Sequence, residues 1–346
     1  MSGVTGIILS NLHDGDVPML TRKRTMGAVP FGGYYRMVDF PLSAMVNAGL
    51  TEIFVIAHHN YHSLMEHIGS GKDWDLARHR GGIRILPPYN AAYANPKESY
   101  NSRLQSLLSI RGLLDRVKTE HILCADCDTV SNPDFGKLIA AHEKSGAPMT
   151  LGVEENAVAG DSDLHIWIAR TAFLREILRE AELKKYTSFT TDVVRRQILQ
   201  GTVSVYHFGE RFYRIRSLDD YFRLHIRLAT DGKMREELLG DPNRPVMTKV
   251  RAAPPVRYGE NASVSNALIA EGCVIEGCVR NSVIFGNVRI GGGCSVENSV
   301  VLEGCRLEAG AKIGFSVLDK NVFLADATLH GHNSLPFFVE EGKIIG

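Results

Sequence analysis

A six-residue spacing of aliphatic side chains runs through the C-terminal part of the chain and constrains its fold more than any other feature. The spacing appears in the series Ile284, Ile290, Val296 and Leu302, in the series Val301, Leu307 and Ile313, and in the pairs Leu268/Val274 and Ile269/Ile275. Hexapeptide periodicity is typical of a parallel β-helix, in which each repeat supplies one flat face and one side chain to the interior. Gly and Asn between the aliphatic residues suit the corners, where a positive φ is needed. A β-sandwich would instead show a period of two, with turns every ~8–12 residues. We therefore predict a left-handed parallel β-helix of hexapeptide repeats over residues 261–346.

The N-terminal part alternates short apolar runs with helical patterns. The runs that predict strands are Gly6–Leu9, Glu52–Ala57, Ile83–Leu86, His121–Cys124, Met149–Val153 and Val203–His207. The predicted helices are Pro41–Gly49, Tyr61–Ile68 with Asn60 as its cap, Ser102–Leu114, Asp134–Ser145, Thr171–Leu183, Asp192–Gln200 and Ser217–Ala229. This alternation favours parallel pairing in a doubly wound α/β sheet, which binds ligands at the carboxyl ends of its strands. Prolines and the loss of any period near residue 240 predict an α/β domain over 1–240, a linker over 241–260 and the β-helix domain thereafter.

Charge and cysteine content narrow the function classes. Lys plus Arg equals Asp plus Glu at 39 each, and no basic block stands out, so we expect neither nucleic-acid nor membrane binding. The N-terminus lacks a signal-peptide pattern, and no apolar run approaches the ~20 residues of a transmembrane helix, so we expect a cytoplasmic protein. Cys124 and Cys127 form a CxxC without a second such pair, which favours buried free thiols over a zinc site.

Two blocks of the sequence carry a family resemblance. Residues 30–50 read PFGGYYRMVDFPLSAMVNAGL, which resembles the F-G-G block of ADP-glucose pyrophosphorylases, and residues 61–69, YHSLMEHIG, resemble a second block of that family. Those enzymes make ADP-glucose from ATP and glucose 1-phosphate, as glucose-1-phosphate adenylyltransferases of glycogen synthesis. The resemblance implies a Rossmann-like nucleotidyltransferase domain followed by hexapeptide repeats, and it covers nearly the whole chain.

The phosphate-binding loop departs from the family pattern. Where the family has a glycine-rich loop ending in Arg-Leu, residues 10–20 read SNLHDGDVPML, so the arginine is replaced by Met19. Asp14 and Asp16 lie where phosphate charge is expected, and we expect them to repel it. The family's second phosphate lysine is replaced by Met26.

The metal and sugar positions are also changed. Asp126 follows a strand and matches one metal-binding aspartate of the family, although an aspartate in this position is equally typical of a simple turn. The second metal-binding aspartate has become Ile215 in the segment FYRIRSL. The segment that corresponds to the nucleobase block, residues 99–106 (SYNSRLQS), lacks its Gly-Thr, and the sugar-phosphate motifs are missing between Leu151 and Phe173. The resemblance therefore implies no catalytic residues, no metal site and no cofactor for this chain, with Mg²⁺ expected in a catalytic partner.

This pattern of losses resembles the degenerate, non-catalytic GlgD-type chains of the family. Such a chain implies a regulatory subunit of a heterotetramer that modifies the activity of a catalytic pyrophosphorylase chain. Lys23, Arg24 and Arg36 match family positions for a sugar-phosphate effector, and fixed cations suit a phosphate ester. Solvated surface charges are the alternative for these three residues.

Other functions stay open at this stage. An active sugar-nucleotide transferase with an unfamiliar phosphate loop would need cations near Asp126, for which Arg22, Lys23 and Arg24 are the nearest N-terminal candidates. A metabolite-sensing module would keep the cleft without a catalytic partner. A hexapeptide acyltransferase would need a histidine on a coil, and only His330 and His332, beyond the clear repeats, suggest themselves. The histidines between His58 and His67 are expected to be structural.

Overall fold

The computed structural model describes residues 3–79, 81–87, 102–157 and 164–346. A seven-stranded mixed sheet forms the centre of the N-terminal domain. Its strands are β1 (Val4–Leu9), β2 (Glu52–Ile56), β3 (Gly82–Leu86), β4 (His121–Asp126), β5 (Met149–Glu154), β6 (Ile166–Arg170) and β7 (Val203–Phe208), in the spatial order β7-β5-β6-β4-β1-β2-β3. The order reverses beside β1, as in a doubly wound sheet.

One strand breaks the expected parallel pairing. β6 runs antiparallel to both β4 and β5, whereas the other neighbouring pairs of this sheet are parallel. Residues 155–165 connect β5 to β6, and they are too few for the crossover of a dozen or more residues that a parallel pair requires. The antiparallel strand is therefore a consequence of a short connection.

The helices of the N-terminal domain pack on both faces of this sheet, except that Leu218–Thr230 and Gly232–Leu239 lie in the apolar cluster against the β-helix. They span Pro18–Thr21, Asp39–Asn47, His62–Ile68, Arg103–Ser109, Arg111–Leu114, Phe135–Ser145, Thr171–Leu183, Arg195–Leu199, Leu218–Thr230 and Gly232–Leu239, with a π-helical turn at Phe189–Val194 and 3₁₀ turns at Met26–Ala28 and Lys72–Trp74. The side chains of Asp134 and Ser217 cap their helices by accepting backbone hydrogen bonds. Two expectations were wrong. The helix predicted over Ser102–Leu114 is interrupted at Ile110. The helix His62–Ile68 has Tyr61 at its N-cap position without a side-chain capping bond, and the Asn60 amide donates instead to the carbonyl of Arg22.

Two apolar cores fill the space between these helices and the sheet. One includes Ile8, Val55 and Trp74, and the other includes Ile7, Phe54 and Trp167. Because neighbouring residues of a strand point to opposite faces, the consecutive pair Ile7 and Ile8 contributes one side chain to each core.

The C-terminal domain is a parallel β-helix, as predicted. Its strands are Arg257–Tyr258, Ser263–Ile269, Val274–Ile275, Cys278–Ile284, Arg289–Ile290, Ser295–Glu297, Val300–Val301, Arg306–Leu307, Lys312–Gly314, Ser316–Leu318, Phe323–Leu324, Thr328–His330, Phe337–Val339 and Ile344–Ile345. Each strand before the last coil pairs in parallel with a strand one coil further on. The segment Leu335–Ile345 supplies the last coil, with Phe338 opposite Val317 and Ile345 opposite Leu324.

The stacking repeat is longer than the hexapeptide. Ile284 lies opposite Val301, Ile290 opposite Leu307, and Val296 opposite Ile313. The two residues of each pair are 17 positions apart, so these coils contain 17 residues. A six-residue step leads to the next face of the same coil. Three such faces would need 18 residues, so one repeat in each of these coils is a residue shorter. Leu302, which the six-residue spacing grouped with Ile284, Ile290 and Val296, therefore does not point into the interior of the β-helix with them. It joins the apolar cluster between the two domains, while Val301 points into the prism.

Asparagines turn several corners of the coils, as predicted. Positive φ angles occur at Asn266, Asn281, Asn287, Asn298 and Asn321. Asparagine tolerates the left-handed region better than other residues with a Cβ.

The two domains share a continuous apolar interface. Phe31, Phe222 and Leu228 of the N-terminal domain pack in one cluster with Val283 and Val317 of the β-helix. The predicted linker over 241–260 has no helix or strand before Arg257–Tyr258, which pairs with Val274–Ile275 as the first β-helix strand. Among the described residues, no helix has the length and apolar content needed to cross a membrane.

Candidate functional site

Two aspartates meet at the carboxyl end of the central sheet. Asp126 is the last residue of β4 and lies opposite Leu9, the last residue of β1. Asp128 follows two residues later, and both carboxylates are about 1% exposed. The loop that leaves β1 brings His13 to the same point. This is the position where doubly wound sheets bind their ligands.

Each carboxylate is held by an arginine. Arg103 donates to Asp126 Oδ2 from Nε at 3.0 Å and from Nη2 at 2.5 Å. Arg214 donates to Asp128 Oδ2 from Nε at 2.9 Å and from Nη2 at 2.7 Å. Charge-assisted hydrogen bonds of this length are strong. The two negative charges are therefore balanced by two positive charges from the same chain.

His13 completes the cluster. Its Nε2 lies 3.1 Å from Asp126 Oδ2 and 3.6 Å from Asp128 Oδ2, and its Nδ1 lies 3.0 Å from Asp16 Oδ2. Burial by itself would lower the pKa of His13, but Asp126 and Asp128 raise it above its ordinary value. Burial would likewise raise the pKa of Asp126, and Arg103 and His13 overcome this effect and lower it to about 2. Asp126 is thus ionised at any physiological pH.

His13, Asp126 and Asp128 are close enough to hold a metal, since one ligand atom from each lies within 4.8 Å of the others. The donor set nevertheless does not fit the Mg²⁺ that the family resemblance implies. Mg²⁺ takes oxygen ligands in octahedral geometry and keeps several waters. Here Oδ2 of each aspartate accepts two hydrogen bonds from a guanidinium, and the third group is an imidazole. Ile215, at the expected second metal position, is fully buried and supplies no oxygen.

The loop from Ser10 to Val29 is closed on itself. Asp14 Oδ1 accepts a hydrogen bond from the backbone N–H of Met26 at 2.6 Å and one from the Thr25 hydroxyl at 3.3 Å. The Thr25 hydroxyl has a second possible acceptor, the carbonyl of Ser10, at 2.7 Å. Burial raises the pKa of Asp14 to about 7. A side-chain carboxylate therefore takes a backbone donor that an open loop would leave for a phosphate.

The three candidate effector residues lie near the domain junction but differ in exposure. Arg24 is buried and donates to both carboxylate oxygens of Asp319, at 2.8 and 3.1 Å, and to Glu341. Arg36 is buried and donates to the carbonyl and hydroxyl oxygens of Ser63. Lys23 is 61% exposed and lies 3.5 Å from a Glu341 oxygen.

Two further cations belong to this region and were missed by the sequence analysis. Arg251 and Lys320 both bind Glu303, at 2.9 and 3.3 Å. Burial together with the neighbouring Arg251 lowers the pKa of Arg36 to about 10, and burial and Arg36 lower the pKa of Lys320. We call Arg24, Arg36, Arg251 and Lys320 the junction cluster. Nothing local in the sequence points to its last two members, because they come from the linker and the β-helix.

The sequence analysis also missed most of the central cluster. It singled out Asp126 and Ile215 but not Arg103, Arg214, His13 or Asp128. A signal was present for one of them, because Arg214 directly precedes Ile215 and lies on the strand Tyr213–Arg214, which pairs with Thr129–Val130 beside Asp128. Arg103 belongs to the segment 99–106, of which residues 99–101 lie outside the described part of the chain.

The remaining side chains that were considered as ligands are structural. Cys124 and Cys127 are buried free thiols, as predicted. His58 lies 3.3 Å from the Ser106 hydroxyl, and His67 pairs with Asp39 at 2.6 Å. Exposed His62 pairs with Glu66 on its own helix. The metal grouping found among the described residues includes none of these.

Comparisons with known proteins agree with this architecture. A family model described as "Nucleotidyl transferase" matches residues 17–160, and one described as "GlmU-like, C-terminal hexapeptide" matches residues 254–335. The chain is 28% identical to the glycogen biosynthesis protein GlgD of Bacillus subtilis over 99% of this chain and 96% of that protein. It is 32% identical to the GlgD protein of Geobacillus stearothermophilus, over 83% of this chain and 81% of that protein. It is 30% identical to the glucose-1-phosphate adenylyltransferase of Thermotoga neapolitana, over 85% of this chain and 76% of that protein.

Proposed function

The chain belongs to the family of the GlgD glycogen biosynthesis proteins and the glucose-1-phosphate adenylyltransferases, and from this premise we propose that it is a catalytically silent, regulatory subunit. It would act in the cytoplasm, in glycogen synthesis, by modifying a catalytic chain that makes ADP-glucose from ATP and glucose 1-phosphate. Mg²⁺ would bind in the catalytic partner and not in this chain.

The pairing of Arg103 with Asp126 and of Arg214 with Asp128 carries the proposal. Adenylyl transfer depends on positioning the phosphates and on stabilising their developing negative charge with metal ions and fixed cations. In this chain the carboxylates bind guanidinium groups, and both guanidinium groups bind carboxylates, so neither partner is left for a nucleotide.

The closed loop supports the same conclusion independently. The carboxylate of Asp14 uses the backbone N–H of Met26, and Met19 and Met26 stand where the family has phosphate-binding cations. Loss of a single transition-state donor typically reduces the rate by about 10²–10³-fold. Several such losses together, although they need not add, would leave little activity.

An active transferase with a divergent phosphate site is the second candidate, and one observation favours it. That hypothesis requires cations near Asp126, and Arg103 and Arg214 lie there, although Arg22, Lys23 and Arg24 do not serve this purpose. Arg22 and Arg24 instead pair with Glu340 and Asp319 of the β-helix domain. For the active alternative to hold, substrate binding would have to release the two arginines from their aspartates.

We also propose the junction cluster, with Lys23, as the place where a sugar-phosphate effector would bind. Several fixed cations favour a phosphate ester. Since Asp319 and Glu341 already hold Arg24, the ester would have to displace at least one of these carboxylates. Lys23 is exposed and would exchange its contact with Glu341 for one with the ligand.

A paired assay tests the proposed function. ADP-glucose formation is measured for this chain alone, for the catalytic homologue of the same organism alone, and for the two chains after co-expression and co-purification. The proposal predicts no turnover by this chain, and a stable mixed oligomer with an altered rate or activator response. A chain that never co-purifies with the homologue and leaves its kinetics unchanged would favour the isolated metabolite-sensing module. Turnover by this chain alone would favour the active alternative.

A further inference from the structure

We propose that Arg103 and Arg214 occupy the electrostatic role of a divalent cation at this site, so that the wild-type chain excludes the ion and removal of Arg103 creates a site for it. The inference deepens the proposed function, because it concerns the same carboxylates, but it makes a statement about ion binding that is separate from activity or regulation.

The charges of the cluster argue against an ion in the wild-type chain. Asp126 and Asp128 contribute two negative charges, and Arg103 and Arg214 contribute two positive charges within hydrogen-bond distance. A divalent cation placed between these aspartates would carry the buried cluster to a net charge of about +2, before His13 is considered. The ion would also have to break the hydrogen bonds that both guanidinium groups make.

The geometry also explains why Arg103 is the residue to remove. Its guanidinium contacts Asp126 Oδ2, while Asp126 Oδ1 is buried and has no hydrogen-bond partner among the described residues. Without Arg103, Asp126 Oδ2 retains only its contact with His13, and the unpartnered Oδ1 can also turn to an ion, with an oxygen of Asp128 nearby. Arg103 additionally lines a small cavity of about 50 Å³ with His165 and Trp167. Truncation of its side chain would enlarge this cavity and leave room for the waters that such an ion retains.

Binding of Mn²⁺ to Arg103→Ala tests the proposal. Mn²⁺ accepts the same oxygen ligands as Mg²⁺ and is detected directly by its paramagnetic resonance signal. We expect saturable binding of one Mn²⁺ by the variant and a rise of its unfolding midpoint, on the order of 5 °C when the ion is at one hundred times its dissociation constant. We expect no site-specific binding by the wild-type chain.

Matched variants identify the site. Arg103→Ala/Asp126→Asn retains the truncated side chain but lacks the carboxylate, so it is expected to lose the Mn²⁺ effect. Arg111→Ala removes a neighbouring, half-exposed arginine that pairs with Glu182, and it is expected to behave like the wild-type chain. Should Arg103→Ala fold too poorly for measurement, Arg103→Met keeps more of the packing and removes the same charge.

The results that would overturn the proposal are equally specific. One is Mn²⁺ binding by the wild-type chain that Asp126→Asn abolishes, since this would mean that the arginines do not exclude the ion. The other is a folded Arg103→Ala or Arg103→Met variant that binds no more Mn²⁺ than Arg111→Ala. Neither outcome depends on whether the chain regulates a partner, so this inference and the proposed function fail separately.

Discussion

At the scale of single residues, this site consists of buried carboxylates that are ion-paired with arginines of the same chain. Asp126 and Asp128 are almost fully buried, and a buried charge is tolerated only when it is paired and hydrogen-bonded. The sequence analysis singled out Asp126 and Ile215 from the family resemblance. It did not predict the arginines, because Arg103 and Arg214 are 23 and 86 residues from the aspartates they bind, and no local pattern encodes such contacts.

Asp14 gives a prediction at this scale. Its folded-state pKa of about 7 exceeds the ordinary value of 3.8, so the folded chain holds this proton more tightly than the unfolded chain does. The stability associated with the proton is complete below the unfolded pKa and is lost as the pH rises through about 7. Asp14→Asn keeps an acceptor for the Met26 N–H without the charge. Its free energy of unfolding, relative to that of the wild-type chain, should therefore increase from about pH 4 to about pH 7.

Urea unfolding of both proteins across this range measures the effect. Asp73→Asn serves as the control, because Asp73 is a partly exposed aspartate outside this loop and away from His13. A difference between Asp14→Asn and the wild-type chain that stays constant with pH would show that Asp14 ionises normally.

At the scale of elements, the β-helix shows what a periodic sequence determines and what it leaves open. The hexapeptide spacing predicted the architecture, the interior position of Ile284 and the turns at asparagine. It did not reveal that the central coils have 17 residues and not 18, because one short repeat per coil looks like an irregularity when a single chain is read for a period of six. Leu302 was misassigned for this reason. In the N-terminal domain, no strand was predicted over Ile166–Arg170, so both β6 and its antiparallel pairing were missed.

The corner at Asn298 gives an element-scale prediction. Asn298 has a φ of 43°, in the left-handed region that costs a β-branched residue about 1–3 kcal/mol. Asn298→Val should therefore lower the free energy of unfolding by about 2 kcal/mol, whereas Asn298→Gly should change it by less than about 0.5 kcal/mol. Urea unfolding of the two variants checks this, and equal losses would mean that the backbone conformation is not the cause.

At the scale of the whole molecule, the N-terminal loop region and the β-helix are held together by charge as well as by apolar packing. Arg24 and Asp319 are both about 5% exposed and join residues 295 positions apart in the chain. Phe31, Phe222 and Val283 bury apolar surface in the same interface. The sequence analysis assigned Arg24 to an effector site only because its position matches the family. In the structure, Arg24 binds the carboxylates of Asp319 and Glu341 in the β-helix domain.

Removal of one partner of the buried Arg24–Asp319 pair should lower the free energy of unfolding. Arg24→Met leaves Asp319 buried without its guanidinium and should lower the free energy of unfolding by about 3 kcal/mol. Arg24→Met/Asp319→Asn should recover part of this loss, because no unpaired charge is left behind. Arg22→Ala, which breaks an exposed pair with Glu340, should change stability by less than about 0.5 kcal/mol. Unfolding midpoints of the three variants compare these effects, and equal losses in Arg24→Met and Arg22→Ala would contradict the structural role of the Arg24–Asp319 pair.

The central claim is that this chain keeps the fold of an adenylyltransferase with a neutralised metal site. The most direct measurement is Mg²⁺-dependent ADP-glucose formation by the purified wild-type chain, with Asp126→Asn purified in parallel to reveal any contaminating enzyme from the expression host. We predict equal background rates for the two proteins at every Mg²⁺ concentration. A Mg²⁺-dependent rate in the wild-type chain that Asp126→Asn abolishes would contradict the claim, because it would show that Asp126 serves catalysis despite Arg103.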